Sequence, residues 1–236
     1  MNNENEVQNE GSNTRKDGLN KLHKSCLEGR LDDVINLLAQ GIDIKVVDTK
    51  NDSIYSGKTC LHFAAETNKT DIMKVLLEHD ITIIDIQDNG GFTALHCAAF
   101  HGNVEAAKIL LHYGANTELG NEKEWKPLHS AASARGKGGS ESKENDFLKI
   151  VELLLHYGAN LESKNHYDDT PLHIAFYFNN ISIAAFLFGM GADLEATDVY
   201  GNTAISKLNK ELEDAFNKFI EDGKLCEMRE KQRPME

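Results

Sequence analysis

The stretch from Asp88 to Asn116, DNGGFTALHCAAFHGNVEAAKILLHYGAN, contains the complete pattern that decides the fold of this chain. Its aspartate and glycines favour a tight turn, and Thr93 is the expected N-cap of a first helix that ends at Gly102. A second helix carries the apolar pair Leu110-Leu111, with apolar neighbours at i, i+3 and i+4 on one face. A unit this short cannot bury that face alone, which predicts that several copies stack.

The Leu-His pair inside this stretch recurs along the chain. It stands at Leu22-His23, Leu61-His62, Leu95-His96, Leu128-His129 and Leu172-His173, with a degenerate copy at Ile205. Successive gaps are 39, 34, 33, 44 and 33 residues, which describes a 33-residue period with extra residues after the first copy and within the fourth. Repetition at this period predicts an elongated stack of repeats, not a globule around one cleft.

The repeated motifs resemble ankyrin repeats. The resemblance rests on TPLHIA from Thr170, on LLHYGAN from Leu110 and again from Leu154, and on DVYGNT from Asp198. It implies an all-α repeat solenoid in which each repeat adds a β-turn finger and two antiparallel helices. It also implies a concave groove, lined by the fingers and the inner helices, that binds proteins.

The pattern divides the chain into three parts. Residues 1–17 are polar and are predicted to be a disordered tail, residues 18–222 to form the repeat domain of about six repeats, and residues 223–236 to be a flexible tail. Insertions are expected near 49–56, in a finger, and near 135–146, where RGKGGSESKEND favours a flexible loop between two helices. The incomplete last repeat has the charged positions expected of a cap that closes the stack.

The bulk composition restricts the class of partner. A formal net charge of -13 disfavours nucleic acid and anionic membranes, because both need clustered lysine and arginine. The first residues lack the apolar core of a signal peptide, and no run approaches a membrane span, so we expect a cytoplasmic or nuclear protein. Cys26, Cys60, Cys97 and Cys226 form no C-x-x-C pair and are expected to be reduced packing residues.

The histidines do not predict catalysis. Five of the ten belong to the repeated Leu-His pair, and adjacent copies should lie roughly 10 Å apart, too far to share a metal ion. The sequence contains no G-x-S-x-G, H-E-x-x-H, G-x-x-x-x-G-K-[ST] or G-x-G-x-x-G motif. We therefore predict a monomeric protein that is not an enzyme, with no catalytic residue, metal or cofactor.

A protein-binding surface is expected at the positions that stacking fixes least, which flank the turn glycine and follow the inner-helix alanines. Aromatic side chains are concentrated there, and tryptophan and tyrosine are frequent anchors of interfaces. Trp125, the sole tryptophan, is the strongest candidate anchor. For Tyr177 and Phe178 the alternative is packing under the next finger. The predicted binding residues are Phe92, Phe100, His101, Trp125, Tyr167, Asp169, Tyr177, Phe178 and Tyr200.

These features predict a non-enzymatic adaptor, inhibitor or assembly factor that binds a partner protein through its concave groove. Two alternatives stay open. One is a host-directed effector of an intracellular microbe, and the other is an assembly chaperone or regulatory subunit of a larger complex. The sequence does not distinguish among them, because fold class says little about the identity of the partner.

Overall fold

The computed structural model describes residues 20–48, 57–133, 141–207 and 210–221. Within these ranges the chain is helical, and its only β-structure is an isolated bridge between Thr197 and Thr203. The predicted tails and the insertion near 49–56 lie outside the described residues. In chain order the α-helices are α1 (Lys21–Glu28), α2 (Leu31–Ala39), α3 (Cys60–Glu66), α4 (Thr70–His79), α5 (Ala94–His101), α6 (Val104–His112), α7 (Pro127–Ser133), α8 (Glu141–His156), α9 (Pro171–Tyr177), α10 (Ile181–Gly189) and α11 (Lys210–Glu221), with single 3-10 turns at Ile81–Ile83 and Ile205–Lys207.

The helices pack in two layers. The inner helices α1, α3, α5, α7 and α9 lie side by side, and the outer helices α2, α4, α6, α8 and α10 do the same. Leu110 and Leu111 of α6 are buried between the layers, as the apolar pair in the sequence predicts. The prediction of an all-α repeat solenoid is confirmed, since each repeat buries its apolar face against its neighbours.

The helix ends follow the local signals in the sequence. Thr93 and His96 form a reciprocal cap, in which the threonine backbone N–H donates to His96 Nδ1 over 3.1 Å and the histidine N–H donates to Thr93 Oγ1. The inner helices end in left-handed residues, Gly102 at φ 69° and, in the same slot, Asn68 at φ 56° and Asn179 at φ 59°. These turns aim each inner helix back toward its outer helix.

The repeat histidine links each repeat to the finger of the next one. His96 Nε2 lies 2.9 Å from the carbonyl oxygen of Trp125 in the following finger. The same contact joins His62 to Phe92 at 2.9 Å, His129 to Asp169 at 3.1 Å and His173 to Asn202 at 3.3 Å. These buried rings hold successive fingers at a fixed spacing.

Each finger takes the number of its repeat, and the second to the sixth are closed by backbone bonds between Asp48 and Lys58, Asp88 and Phe92, Asn121 and Trp125, Asn165 and Asp169, and Asp198 and Asn202. The base of the second finger is closed in the same way as that of the third. The N–H of Asp48 donates to the carbonyl of Lys58 over 2.9 Å, and the N–H of Gly57 donates to the carbonyl of Asp48. Asp88 makes the equivalent bonds to Phe92 and Gly91, although only three sequence positions separate Asp88 from Gly91. Asp48 and Gly57, which flank the insertion in the sequence, are therefore held together as Asp88 and Gly91 are in a finger of ordinary length.

The predicted loop at 135–146 is wrong in its second half, and its first half, 135–140, lies outside the described residues. Residues 141–146 are helical and extend α8, which runs for 16 residues from Glu141 to His156. Extending an existing helix costs less free energy than nucleating a new one. Serine, glutamate and lysine, which occur in this segment, are compatible with a helical backbone. The side chain of Ser182 in α10 donates a hydrogen bond to Glu144 in this extension.

Helix α11 covers the end of the stack. Phe216 is fully buried, and its ring centroid lies 4.9 Å from that of Phe176 in α9 and 5.9 Å from that of Phe188 in α10. The inner helix of this last repeat is reduced to the 3-10 turn Ile205–Lys207. The sixth unit is thus truncated on the inner side and covers the apolar end through its outer helix.

Candidate functional site

Backbone hydrogen bonds join the tips of the fingers. The N–H of Glu122 donates to the carbonyl of Gly90 over 3.1 Å, and the N–H of His166 donates to the carbonyl of Lys123 over 3.0 Å. The last two fingers are joined by the N–H of Val199 and the carbonyl of Tyr167. These bonds fix the spacing of the fingers and so the backbone positions from which their side chains project.

The third and fourth fingers approach so closely that glycine is required between them. Gly91 has φ +78°, and a Cβ atom placed on it would lie 2.7 Å from the backbone nitrogen of Glu122. No side chain fits at that distance, so the two fingers pack backbone against backbone. The wall they form borders the pocket described next.

The structure brings four predicted residues, Phe92, Phe100, His101 and Trp125, to one cavity of about 490 Å³, which we call the aromatic pocket. The inner helices α3, α5 and α7 and the second, third and fourth fingers enclose it. The other residues around it are Lys58, Glu66, Asp88, Gly90, His96, Cys97, Asn121, Glu122, Lys123, Ser130 and Ser133. Such a mostly apolar hollow with a few polar groups suits an inserted side chain.

An ion pair between Lys58 and Glu66, neither of them among the predicted binding residues, lies in the aromatic pocket. Lys58 Nζ contacts Glu66 Oε2 at 2.7 Å and lies 5.8 Å from the centroid of the Phe63 ring. His101 Nε2 lies 3.8 Å from Glu66 Oε1. Lys58 occupies the slot before the N-cap threonine, as Phe92 does in the next repeat. The equivalence of these two positions is the signal in the sequence that points to Lys58 as a residue of this surface.

Asp88 adds negative charge beneath the pocket. Burial raises the pKa of its carboxyl group above the ordinary value, although hydrogen bonds from the N–H groups of Phe92 and Gly90 and the nearby Lys58 oppose that effect. Asp48, close by in the second finger, raises the pKa of Asp88 further. Lys58 therefore lies among three carboxyl groups, those of Asp48, Glu66 and Asp88.

Three other tyrosines are exposed on the fifth and sixth repeats. The exposed fractions are 45% for Tyr167, 65% for Tyr177 and 75% for Tyr200. Phe178 is half-buried against the core, and its ring centroid lies 5.1 Å from that of Tyr177. The structure therefore separates this pair, with Tyr177 exposed and Phe178 packed as the alternative interpretation expects.

Two of the predicted residues are less exposed than a surface position would be. Asp169 is buried, its backbone N–H donates to Asn165 Oδ1 over 3.0 Å, and its carbonyl faces His129. Trp125 is half-buried and packs against the core. Asp169 therefore stabilises the backbone of its finger. Trp125 forms part of the wall of the aromatic pocket, where only part of its indole is accessible.

The repeat unit decides the family. A model of ankyrin repeats matches the chain three times, over residues 22–121, 84–165 and 116–198, which together cover most of its length. The chain belongs to the ankyrin repeat family. Ankyrin repeats generally mediate protein–protein interaction and are generally not enzymes.

Similar proteins share the ankyrin repeats over part of their length. An ankyrin repeat-containing protein of Arabidopsis thaliana is 31% identical over 99 residues, which are 42% of this chain and 18% of that protein. The B-cell lymphoma 3 protein homolog of Mus musculus is 34% identical over 119 residues, 50% of this chain and 25% of that protein. BCL-6 corepressor-like protein 1 of Homo sapiens is 34% identical over 76 residues, 32% of this chain and 4% of that protein. The chain thus matches a quarter or less of each of these three relatives.

The ankyrin histidines are structural in this protein. His62, His96 and His129 are fully buried, and burial lowers the pKa of each to about 4, against the carbonyl hydrogen bonds that favour the charged form. Among the described residues no group of three histidine, cysteine, aspartate or glutamate side chains is placed to hold a metal ion. Over the same part of the chain, none of the helices is long and apolar enough to cross a membrane.

Three cysteines of the ankyrin stack are buried and unpaired by disulfides, namely Cys26, Cys60 and Cys97. Cys97 lies at the aromatic pocket, where burial raises the pKa of its thiol to about 12. A thiol in that state is a weak nucleophile, since the thiolate is the reactive form. Cys226 lies outside the described residues.

Proposed function

We propose that this chain is a non-enzymatic protein-binding module, acting as an adaptor, inhibitor or assembly factor, and that it binds its partner on the face formed by the fingers and the inner helices. The observation that carries the proposal is the aromatic pocket, which gathers Phe92, Phe100 and Trp125 beside an ion pair. Aromatic side chains around a hollow are the usual anchors of protein interfaces.

Rigidity supports this proposal. The fingers are joined tip to tip by backbone hydrogen bonds, and the repeat histidines join each inner helix to the next finger. A surface that is already ordered loses little conformational entropy when a partner binds. The three exposed tyrosines, Tyr167, Tyr177 and Tyr200, extend the surface along the stack.

The charge balance supports a protein partner over nucleic acid. The chain carries 38 acidic and 25 basic residues, and binding to a phosphate backbone depends on the opposite excess. A partner with a basic surface would be attracted at long range and would associate faster at low ionic strength.

The test is affinity capture from the native lysate with a double variant, Phe100→Ala with Tyr177→Ala. Both side chains are more than half exposed, at 54% and 65%, so the fold should be retained. We expect the captured partner to be lost from the variant, because removal of two anchors costs at least about 2 kcal/mol each. Tyr157→Ala is the matched control, since Tyr157 is 45% exposed at the end of outer helix α8.

The two variants separate the faces of the stack. Loss of the partner with the double variant and its retention with Tyr157→Ala would support the proposal. A partner that both variants retain, or that only Tyr157→Ala loses, would place the interface away from the fingers and would contradict it. Equal thermal unfolding of the three proteins is the control for folding.

A further inference from the structure

We propose that the aromatic pocket receives an arginine side chain of the partner, with its guanidinium group against the aromatic rings and paired with Glu66. This inference rests on the proposed function and specifies the chemistry of the group that the pocket binds. It follows from three properties of the pocket: its aromatic wall, its charge and the geometry of one carboxylate.

The aromatic wall presents rings that pack against buried histidines. The Phe92 ring meets the His96 ring edge to face, with 5.7 Å between centroids, and the Trp125 ring lies 6.2 Å from the His129 ring. Phe100 is 54% exposed at the end of α5. Planar guanidinium groups stack on aromatic faces, and a ring that is already positioned adds little entropic cost.

The charge of the pocket favours a cation. Three carboxylates, of Glu66, Asp88 and Glu122, line it together with two lysines, Lys58 and Lys123. Asp48 lies next to this set, because its Oδ1 accepts the backbone N–H of Lys58. The excess of acid is local as well as global, since the whole chain has a net charge of -13. The electrostatic potential therefore favours a cationic side chain both within the pocket and at a distance from the protein.

One oxygen of Glu66 is placed to accept from the incoming group. Its Oε2 atom is paired with Lys58 at 2.7 Å, whereas its Oε1 atom lies 3.8 Å from His101 Nε2, beyond hydrogen-bond distance. The Glu66 side chain is 29% exposed, so its charge is neither fully hydrated nor fully buried. Arginine suits this site better than lysine, because a planar fork of donors pairs with carboxylate and stacks on rings at the same time.

The experiment uses the peptide acetyl-Gly-Arg-Gly-amide as the probe and acetyl-Gly-citrulline-Gly-amide as its neutral isostere. Both are titrated into the full chain, and the fluorescence of Trp125, the sole tryptophan, reports occupation of the pocket. We expect a saturable change with the arginine peptide and none with the citrulline peptide. Glu66→Gln should weaken binding of the arginine peptide about tenfold, the effect of one charge-assisted hydrogen bond.

Glu152→Gln is the matched control, because Glu152 is exposed on outer helix α8 and the substitution makes the same change of charge. It should leave the titration unchanged. The inference is overturned by equal fluorescence changes with the two peptides, by no saturable change with either, or by unaltered binding to Glu66→Gln. The comparison of the two peptides on the unmodified chain does not depend on the folding of any variant.

The outcomes distinguish this inference from the proposed function. If the partner is lost from the Phe100→Ala, Tyr177→Ala variant but the arginine peptide behaves like its citrulline isostere, the inference fails and the proposed function stands. If the arginine peptide binds through Glu66 but both capture variants retain the partner, the proposed function fails, and with it the assignment of the arginine to that partner.

Discussion

At one position of the repeat, the backbone and the side chain have different roles, and the sequence does not distinguish them. The slot before the N-cap holds Phe92 in one finger and Trp125 in the next, and in both its backbone carbonyl faces a repeat histidine. The side chain is then left to line the aromatic pocket. In the fifth repeat the same slot holds Asp169, whose side chain is buried within its finger. The position before the N-cap therefore predicts the contact between its backbone carbonyl and the histidine. Whether the side chain at that position is exposed depends on the residue type.

At this scale the structural role of the repeat histidine is testable by His96→Ala. The substitution removes the contacts to Thr93 and Trp125 and leaves a space in a fully buried region. We expect the free energy of unfolding, measured by urea denaturation, to fall by about 2–4 kcal/mol, from lost hydrogen bonds and the cavity. His112→Ala, at an exposed position, should change it by less than about 0.5 kcal/mol. Equal effects of the two substitutions would show that the contacts between the repeat histidines and the next finger do not stabilise the stack.

Elements of the stack are predicted well where their boundaries have a local cause. Thr93, Gly102 and Asn179 mark helix ends by capping and by left-handed backbone, and the structure places the ends there. The start of α8 has no such signal, because the glycines near 136–139 favour a loop while the residues after them join a helix. The aromatic pocket is not predicted by the sequence for a different reason. Three fingers and three inner helices together form it, and no single repeat contains that arrangement.

The capping role of α11 leads to a prediction for that element. Phe216→Ala should lower the stability of the last repeats by about 3–5 kcal/mol, because the ring is fully buried against Phe176 and Phe188. In a stack of repeats the loss is felt first by nearest neighbours. Hydrogen exchange should therefore speed up in α9 and α10 and stay slow in α5 and α6. Uniform acceleration through all the helices would contradict a role limited to the end of the stack.

The whole molecule combines a strongly acidic surface with a row of neutral, buried histidines. These two features give opposite expectations for its response to acid. Lowering the pH reduces the net charge of -13 and the repulsion it causes, which would stabilise the fold. Protonation of the histidines works in the other direction, because a charged ring cannot accept the N–H of the N-cap residue and is costly to bury.

The effect of the histidines follows from the linkage between proton binding and folding. Burial lowers the pKa of His62, His96 and His129 to about 4, from 6.5 in the unfolded chain. Between these values the unfolded chain binds more protons than the folded one, so stability is complete above pH 6.5 and falls as the pH drops toward 4. Each histidine should cost about 2 kcal/mol between pH 6.5 and 5, which for three of them exceeds the gain from weaker surface repulsion at moderate salt.

Urea denaturation at pH 7 and pH 5 measures this balance directly. We expect a lower free energy of unfolding at pH 5 and a shallower dependence on pH for His96→Gln, since its amide does not titrate. His112→Gln, at an exposed position, should keep the full dependence and serves as the control. A protein that became more stable at pH 5 would show that charge repulsion, and not the buried histidines, sets the response to acid. An unchanged slope for His96→Gln would remove that ring from the cause.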